Sequence, residues 1–173
     1  RQGARGRGVM IIAANLARTL VVRPEVQRDE HALIVAVRLF LKLVNIPFPD
    51  LEIQLSSTIP VASGLGSGAA ATTALLRALS DAVGHPLSTA ALNDLVYEIE
   101  KLHHGTPSGI DNTVITHAQP VYFVREAPIE TFAIGHPLTL IVADTGIASP
   151  THQTVGDVRR LYEADPDQIT PIL

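Results

Sequence analysis

Two short stretches carry the groups that could do chemistry. The first is "PVASGLGSGAA", Pro60 to Ala70, with glycines at 64, 66 and 68 and serines at 63 and 67, directly before an alanine-rich run. The spacing predicts a loop from Gly64 to Gly68 at the N-terminus of a helix. The first N–H groups of a helix lack intrahelical partners, and the helix dipole adds partial positive charge there. Glycines let a bulky anion approach the backbone without Cβ clashes. Ser63 and Ser67 add hydroxyls that suit a phosphate oxygen or a hydrated metal. An ordinary strand-to-helix turn has the same composition. The stretch is neither a Walker A loop, since no Gly-Lys-Ser/Thr follows, nor the dinucleotide G-x-G-x-x-G, since its glycines fall as G-x-G-x-G.

The second stretch is "EIEKLHHGTPSGIDN", Glu98 to Asn112. Asp111 is a carboxylate that could accept a proton from a substrate hydroxyl. Glu100 could hold Mg²⁺, which takes oxygen ligands and keeps several waters. Turn chemistry competes with both readings, because Asp and Asn bond their own backbone. Adjacent histidines point to different faces of a helix, so His103 and His104 are not expected to share a zinc ion. By the same spacing only one of Glu98 and Glu100 serves a common site.

These residues must be held by regular elements. Val9–Asn15 and Leu20–Val22 read as strands with a turn near Ala17–Arg18. His31–Asn45 has apolar residues at helical spacing, and the prolines of "IPFPD" end it. Leu51–Ile59 alternates as a half-buried strand. A helix is expected from Ala69 to Val83, stopped by Gly84 and Pro86, and a second one capped by Ser88 and ending at Gly105. "GTPSGIDN" reads as a compact turn, "TVIT", "VYFV" and "PLTLIVADTG" as strands, and the chain from "SPT" to about Ala164 as a helix. Helices and strands without strict alternation predict an α+β fold.

The chain has 173 residues, 46% of them hydrophobic, enough for a sizeable core. Aromatic residues are only 4% and the formal net charge is −4, against a nucleic-acid partner. There is no cysteine, which excludes disulfides and thiolate chemistry and fits a cytoplasmic protein. No apolar run approaches the roughly 18 residues of a membrane helix, so no membrane partner is expected. The start is basic then apolar, like a signal peptide, but continues as strands. The absent initial Met and the abrupt end suggest a piece of a longer protein.

Taken together, the two stretches resemble the GHMP kinases, and within them the mevalonate kinase branch. "PVASGLGSGAA" resembles that family's phosphate loop, P-x-x-x-G-L-G-S-S-A-A. "EKLHHGTPSGIDN" resembles its more specific segment E…HG-x-P-S-G-x-D-N. The stretch "VADTGIASPTHQTVGDVRRLYEADP" adds to the resemblance, which runs from about Val9 to Pro166. It implies a GHMP kinase fold: an N-terminal lobe like domain 2 of ribosomal protein S5 over 1–134, then the truncated start of a ferredoxin-like lobe over 135–173. It implies ATP and Mg²⁺ as cofactors, mevalonate as substrate and a homodimer.

By the resemblance, Asp111 is the catalytic residue. Pro60, Ser63, Gly64, Leu65, Gly66, Ser67, Gly68 and Ala69 hold the ATP phosphates. Glu100 and Ser67 are the metal ligands, and His104, Ser108 and Thr151 lie near the substrate. The chain departs from the family at Gly68, where a second serine is usual, and at Ala118–Gln119, where two glycines are common. A Gly-Lys strand motif and a C-terminal glycine-rich motif are absent, so these 173 residues alone are expected to show little kinase activity. Another GHMP kinase specificity, for phosphomevalonate or a sugar, and a non-catalytic protein keeping the fold are the alternatives.

Overall fold

The computed structural model describes residues 8–14, 17–24, 31–60, 64–104, 106–143 and 151–172. A three-stranded sheet has β1 (Val9–Ala13) at its centre. It pairs antiparallel with β2 (Arg18–Val22), Val9 opposite Val22, and parallel with β3 (Leu51–Leu55), Val9 opposite Leu51. Along β1 the alternation Val9, Ile11, Ala13 faces the core, the period expected of a strand with one buried face.

The parallel β1–β3 pair needs a crossover, and α1 (Ala32–Leu43) supplies it. Its buried stripe of Leu33, Ile34, Val37, Phe40 and Leu41 follows helical spacing. The helices α2 (Ser67–Ala82) and α3 (Thr89–His104) pack on α1 and complete one core with Leu75, Leu76, Leu79, Val96 and Ile99. Ser88 caps α3 as the sequence predicts, its hydroxyl accepting from the Ala91 N–H at 3.2 Å. α2 begins two residues before the predicted start, so Ser67 and Gly68 sit in its first turn.

Beyond α3 the structure corrects the sequence reading. "IDNTVITH" is neither turn nor strand but a helix, α4 (Ile110–His117), packed on α2 and α3. Its Thr113 hydroxyl donates to the Gly109 carbonyl at 2.6 Å and its Thr116 hydroxyl to the Asn112 carbonyl at 2.7 Å. These back-bonds satisfy both buried threonines, and burial between two helices outweighs their strand propensity. Of "VYFV" only β4 (Val121–Tyr122) is a strand, paired with β5 (Glu130–Thr131), which the sequence does not announce.

The described part of "PLTLIVADTG", residues 137–143, has no strand pairing. Leu140 is 82% and Ile141 93% exposed, so the run has the strand pattern without a neighbouring ladder among the described residues. Helices α5 (Thr151–Ala164) and α6 (Pro166–Ile169) and a 3-10 turn (Thr170–Ile172) close the described chain. The mixture of sheet and segregated helices is α+β. Among the described residues no helix is long and apolar enough to cross a membrane.

Candidate active site

Helix α2 starts on Gly66, which takes the left-handed conformation (φ 67°, ψ 24°) and offers no side-chain cap. The contrast with α1 is direct, because there the His31 ring nitrogen accepts from the Leu33 N–H at 3.3 Å. Among the described residues no side chain caps the first-turn N–H groups of α2, an arrangement that favours an anion. A Cβ on Gly66 would stand 3.1 Å from Ile115 Cδ1 and 3.7 Å from the Asp111 carboxyl carbon. Positive φ and close approach together require glycine here, and they place Asp111 against the loop.

Two residues on, the same loop meets a second carboxylate. A Cβ on Gly68 would lie 3.8 Å from Glu100 Oε1. Glu100 comes from α3 and Asp111 from the first turn of α4, so two helices deliver one carboxylate each to one helix start. Glu98 does not join them. It accepts a hydrogen bond from Lys101 at 2.6 Å on the exposed side of α3, and that bond raises the pKa of the Lys101 ammonium. Of the two glutamates, only Glu100 lies beside a glycine of the loop.

Gly109 sets the start of α4. Its φ is +90°, and a Cβ there would come within 3.1 Å of the Phe123 ring. Ser108 Oγ accepts from the Ile110 N–H at 3.3 Å, in the turn that leads to Asp111. Ser63 lies outside the described residues, as do the side chains of His103, His104 and Thr151. Pro60, Gly64 and Leu65 are exposed at the loop, whereas the Ala69 side chain is buried and only its backbone can serve a ligand.

Two cavities lie beside these residues. The larger, about 570 Å³, is lined by Glu100, Ser108, Asp111, Arg125 and Arg159 among others. No sequence pattern marks the two arginines. Arg125 donates to the Pro107 carbonyl at 3.0 Å, and Arg159, from α5, donates to Thr106 Oγ1 at 2.9 Å. Both guanidinium groups thus brace the turn between α3 and α4 while lining the cavity that holds Asp111. The smaller cavity, about 180 Å³, is mainly apolar and is lined by His31, Leu55, Ile59, Ser67, Gly68 and Thr72 among others. Thr72 Oγ1 is buried there without a hydrogen-bond partner among the described residues.

The donor set fits Mg²⁺ held together with phosphates. Among the described residues no group of three His, Asp or Glu side chains forms a metal cage. Mg²⁺ in phosphoryl-transfer sites usually takes one or two carboxylates, with waters and phosphate oxygens filling the rest. Glu100 beside Gly68 and the Ser67 hydroxyl on the same turn are suited to that role.

Comparison with known proteins gives the family of the chain. The family model described as "GHMP kinases N terminal domain" matches residues 31–119, which contain both glycine-rich stretches. The chain is 33% identical to the mevalonate kinase of Pyrococcus furiosus over 138 residues, 80% of this chain and 41% of that one. It is 32% identical to a mevalonate kinase of Gibberella zeae, covering 94% of this chain and 37% of that one. The chain therefore spans about two fifths of the length of these relatives. Among solved structures, the L. major mevalonate kinase in complex with R-mevalonate is similar with a TM-score of 0.70 and 25% identity, covering 98% of this chain and 52% of that one. A D-glycero-D-manno-heptose 1-phosphate kinase shares the fold at a TM-score of 0.62 and 16% identity, covering 80% and 46% of the two chains.

Proposed function

The chain belongs to the GHMP kinases, and from that premise we propose that the full-length protein transfers the γ-phosphoryl group of ATP to the primary hydroxyl of mevalonate, giving 5-phosphomevalonate. The observation that carries this reading is the meeting of Asp111 and Glu100, from two different helices, with Gly66 and Gly68 at the start of α2. Its relatives named mevalonate kinase narrow the substrate class.

Phosphoryl transfer asks the protein mainly for positioning and charge stabilisation. The N–H groups of Ser67, Gly68 and Ala69 hold the phosphate oxygens of the nucleotide at the positive end of α2. Asp111, against Gly66, takes the proton of the mevalonate hydroxyl as the new O–P bond forms and the bond from the γ-phosphorus to the bridging oxygen breaks, leaving ADP. Glu100 and Ser67 would hold Mg²⁺, which supplies neutralisation of phosphate charge when bound. Mevalonate carries a carboxylate, and Arg125 and Arg159 give the same cavity two cations to receive it. The smaller cavity, on the Thr72 side of the helix start, suits the adenine ring: its lining is apolar and the Thr72 hydroxyl lacks a partner among the described residues.

A coupled ADP-release assay on the full-length protein tests the reading, with mevalonate, phosphomevalonate and galactose offered separately. ADP release with mevalonate alone is the expected result. Release with one of the other two moves the protein to a different branch of the family, and release with none supports a non-catalytic role.

A further inference from the structure

Resting on the phosphoryl-transfer reading of the site, we propose that Asn93 is a positioning residue that holds Asp111 at the phosphate loop. Asn93 lies on α3 and is 8% exposed, between the buried apolar residues Leu92, Leu95 and Val96. Its carboxamide meets that of Asn112 at 2.7 Å. Asn112 is 3% exposed and is the immediate neighbour of Asp111 in the first turn of α4. The Thr116 hydroxyl, one turn further along α4, lies 3.2 Å from the same Asn93 carboxamide. With both carboxamides turned about, Asn93 donates to Asn112 across the same 2.7 Å and Asn112 donates to the Gly109 carbonyl at 3.1 Å, tying the pair to the residue that starts the helix.

Asn93 and Glu100 are seven residues apart on α3, two turns, and so share one face of it. One helix face therefore bears both the carboxylate beside Gly68 and the amide that grips α4 next to Asp111. The far end of α4 is held from α2, where Arg77 Nη2 donates to the Thr116 carbonyl at 2.7 Å. Packing alone lets one helix rotate or slide a little on another. A buried amide pair does not, because a small slip leaves two polar groups without partners in an apolar setting. The pair fixes the rotation of α4, and with it the distance from Asp111 to Gly66.

The test uses Asn93→Leu, close in size but unable to hydrogen-bond, and Asn93→Ser, too short to reach Asn112. Two substitutions are used so that a folding defect in one does not decide the matter, and thermal melts identify it. In the full-length protein both variants lower kcat for mevalonate at least about tenfold while KM for ATP stays within about twofold, because the nucleotide is held by α2. A second readout needs no turnover: the nuclear Overhauser contact between the Gly66 α-protons and the Asp111 β-protons weakens in both variants. Unchanged kcat with an unchanged Gly66–Asp111 contact in a folded variant overturns the proposal. So does a loss of kcat that only tracks the loss of folded protein. If the unsubstituted protein releases no ADP with mevalonate, the phosphoryl-transfer reading fails, and the Gly66–Asp111 contact alone still decides the role of Asn93.

Discussion

Gly68 stands beside Glu100, with room for a Cβ 3.8 Å from the carboxylate oxygen and, among the described residues, no other heavy atom within 4 Å of it outside its own turn. In the family that this chain resembles, a serine is usual at this position. Gly68→Ser brings a hydroxyl next to the Glu100 carboxylate. The variant is expected to bind ATP about threefold to tenfold more tightly in Mg²⁺, with no gain in EDTA, when followed by titration calorimetry. Gly68→Ala is the control, since it adds helix propensity without an oxygen ligand. An equal gain from alanine would remove Glu100 and position 68 from the metal site.

Gly66 and Gly64 both have positive φ, but only Gly66 is crowded. A Cβ on Gly64 meets no atom of the described residues within 4 Å, and Gly64→Ala is expected to cost about 1 kcal/mol in backbone strain. Gly66→Ala adds a contact at 3.1 Å with Ile115 Cδ1 and a methyl group 3.7 Å from the Asp111 carboxyl carbon. It is expected to cost about 2 kcal/mol and to weaken ATP binding as well. Thermal unfolding with and without MgATP measures both effects.

Arg159 reaches the cavity from α5 and now bonds Thr106 Oγ1. Arg159→Ala is expected to raise KM for mevalonate about tenfold, consistent with one lost charge-assisted contact, and to leave KM for ATP nearly unchanged. Steady-state ADP release at varied mevalonate reads this directly. A rise in the ATP KM instead would place Arg159 on the nucleotide.

The fold and the site were legible to different depths. Phe40, Leu75 and Val96 sit on apolar stripes of period 3.6, so α1, α2 and α3 could be read from the sequence. Ser67 and Gly68 read as loop because glycine and serine dominate it, yet the left-handed turn at Gly66 lets α2 begin at Ser67. Thr113 to Thr116 misled because β-branched residues favour strands. Their hydroxyl back-bonds and burial against α2 and α3 are tertiary effects that no local window contains. Asp111 and Glu100 were legible as types at telling spacings. Arg125 and Arg159 were not, since only the folded chain carries these isolated arginines to one cavity. Asn93 was hidden for the same reason, its partner Asn112 lying on another helix.

The most direct test of the account follows label from γ-labelled ATP into mevalonate in the full-length protein and in its Asp111→Asn variant. The account predicts labelled 5-phosphomevalonate from the unsubstituted protein and a loss of about 100-fold or more in the variant, which still binds MgATP and melts at a similar temperature. Transfer by Asp111→Asn at the unsubstituted rate, or no label in mevalonate from the folded unsubstituted protein, would contradict it.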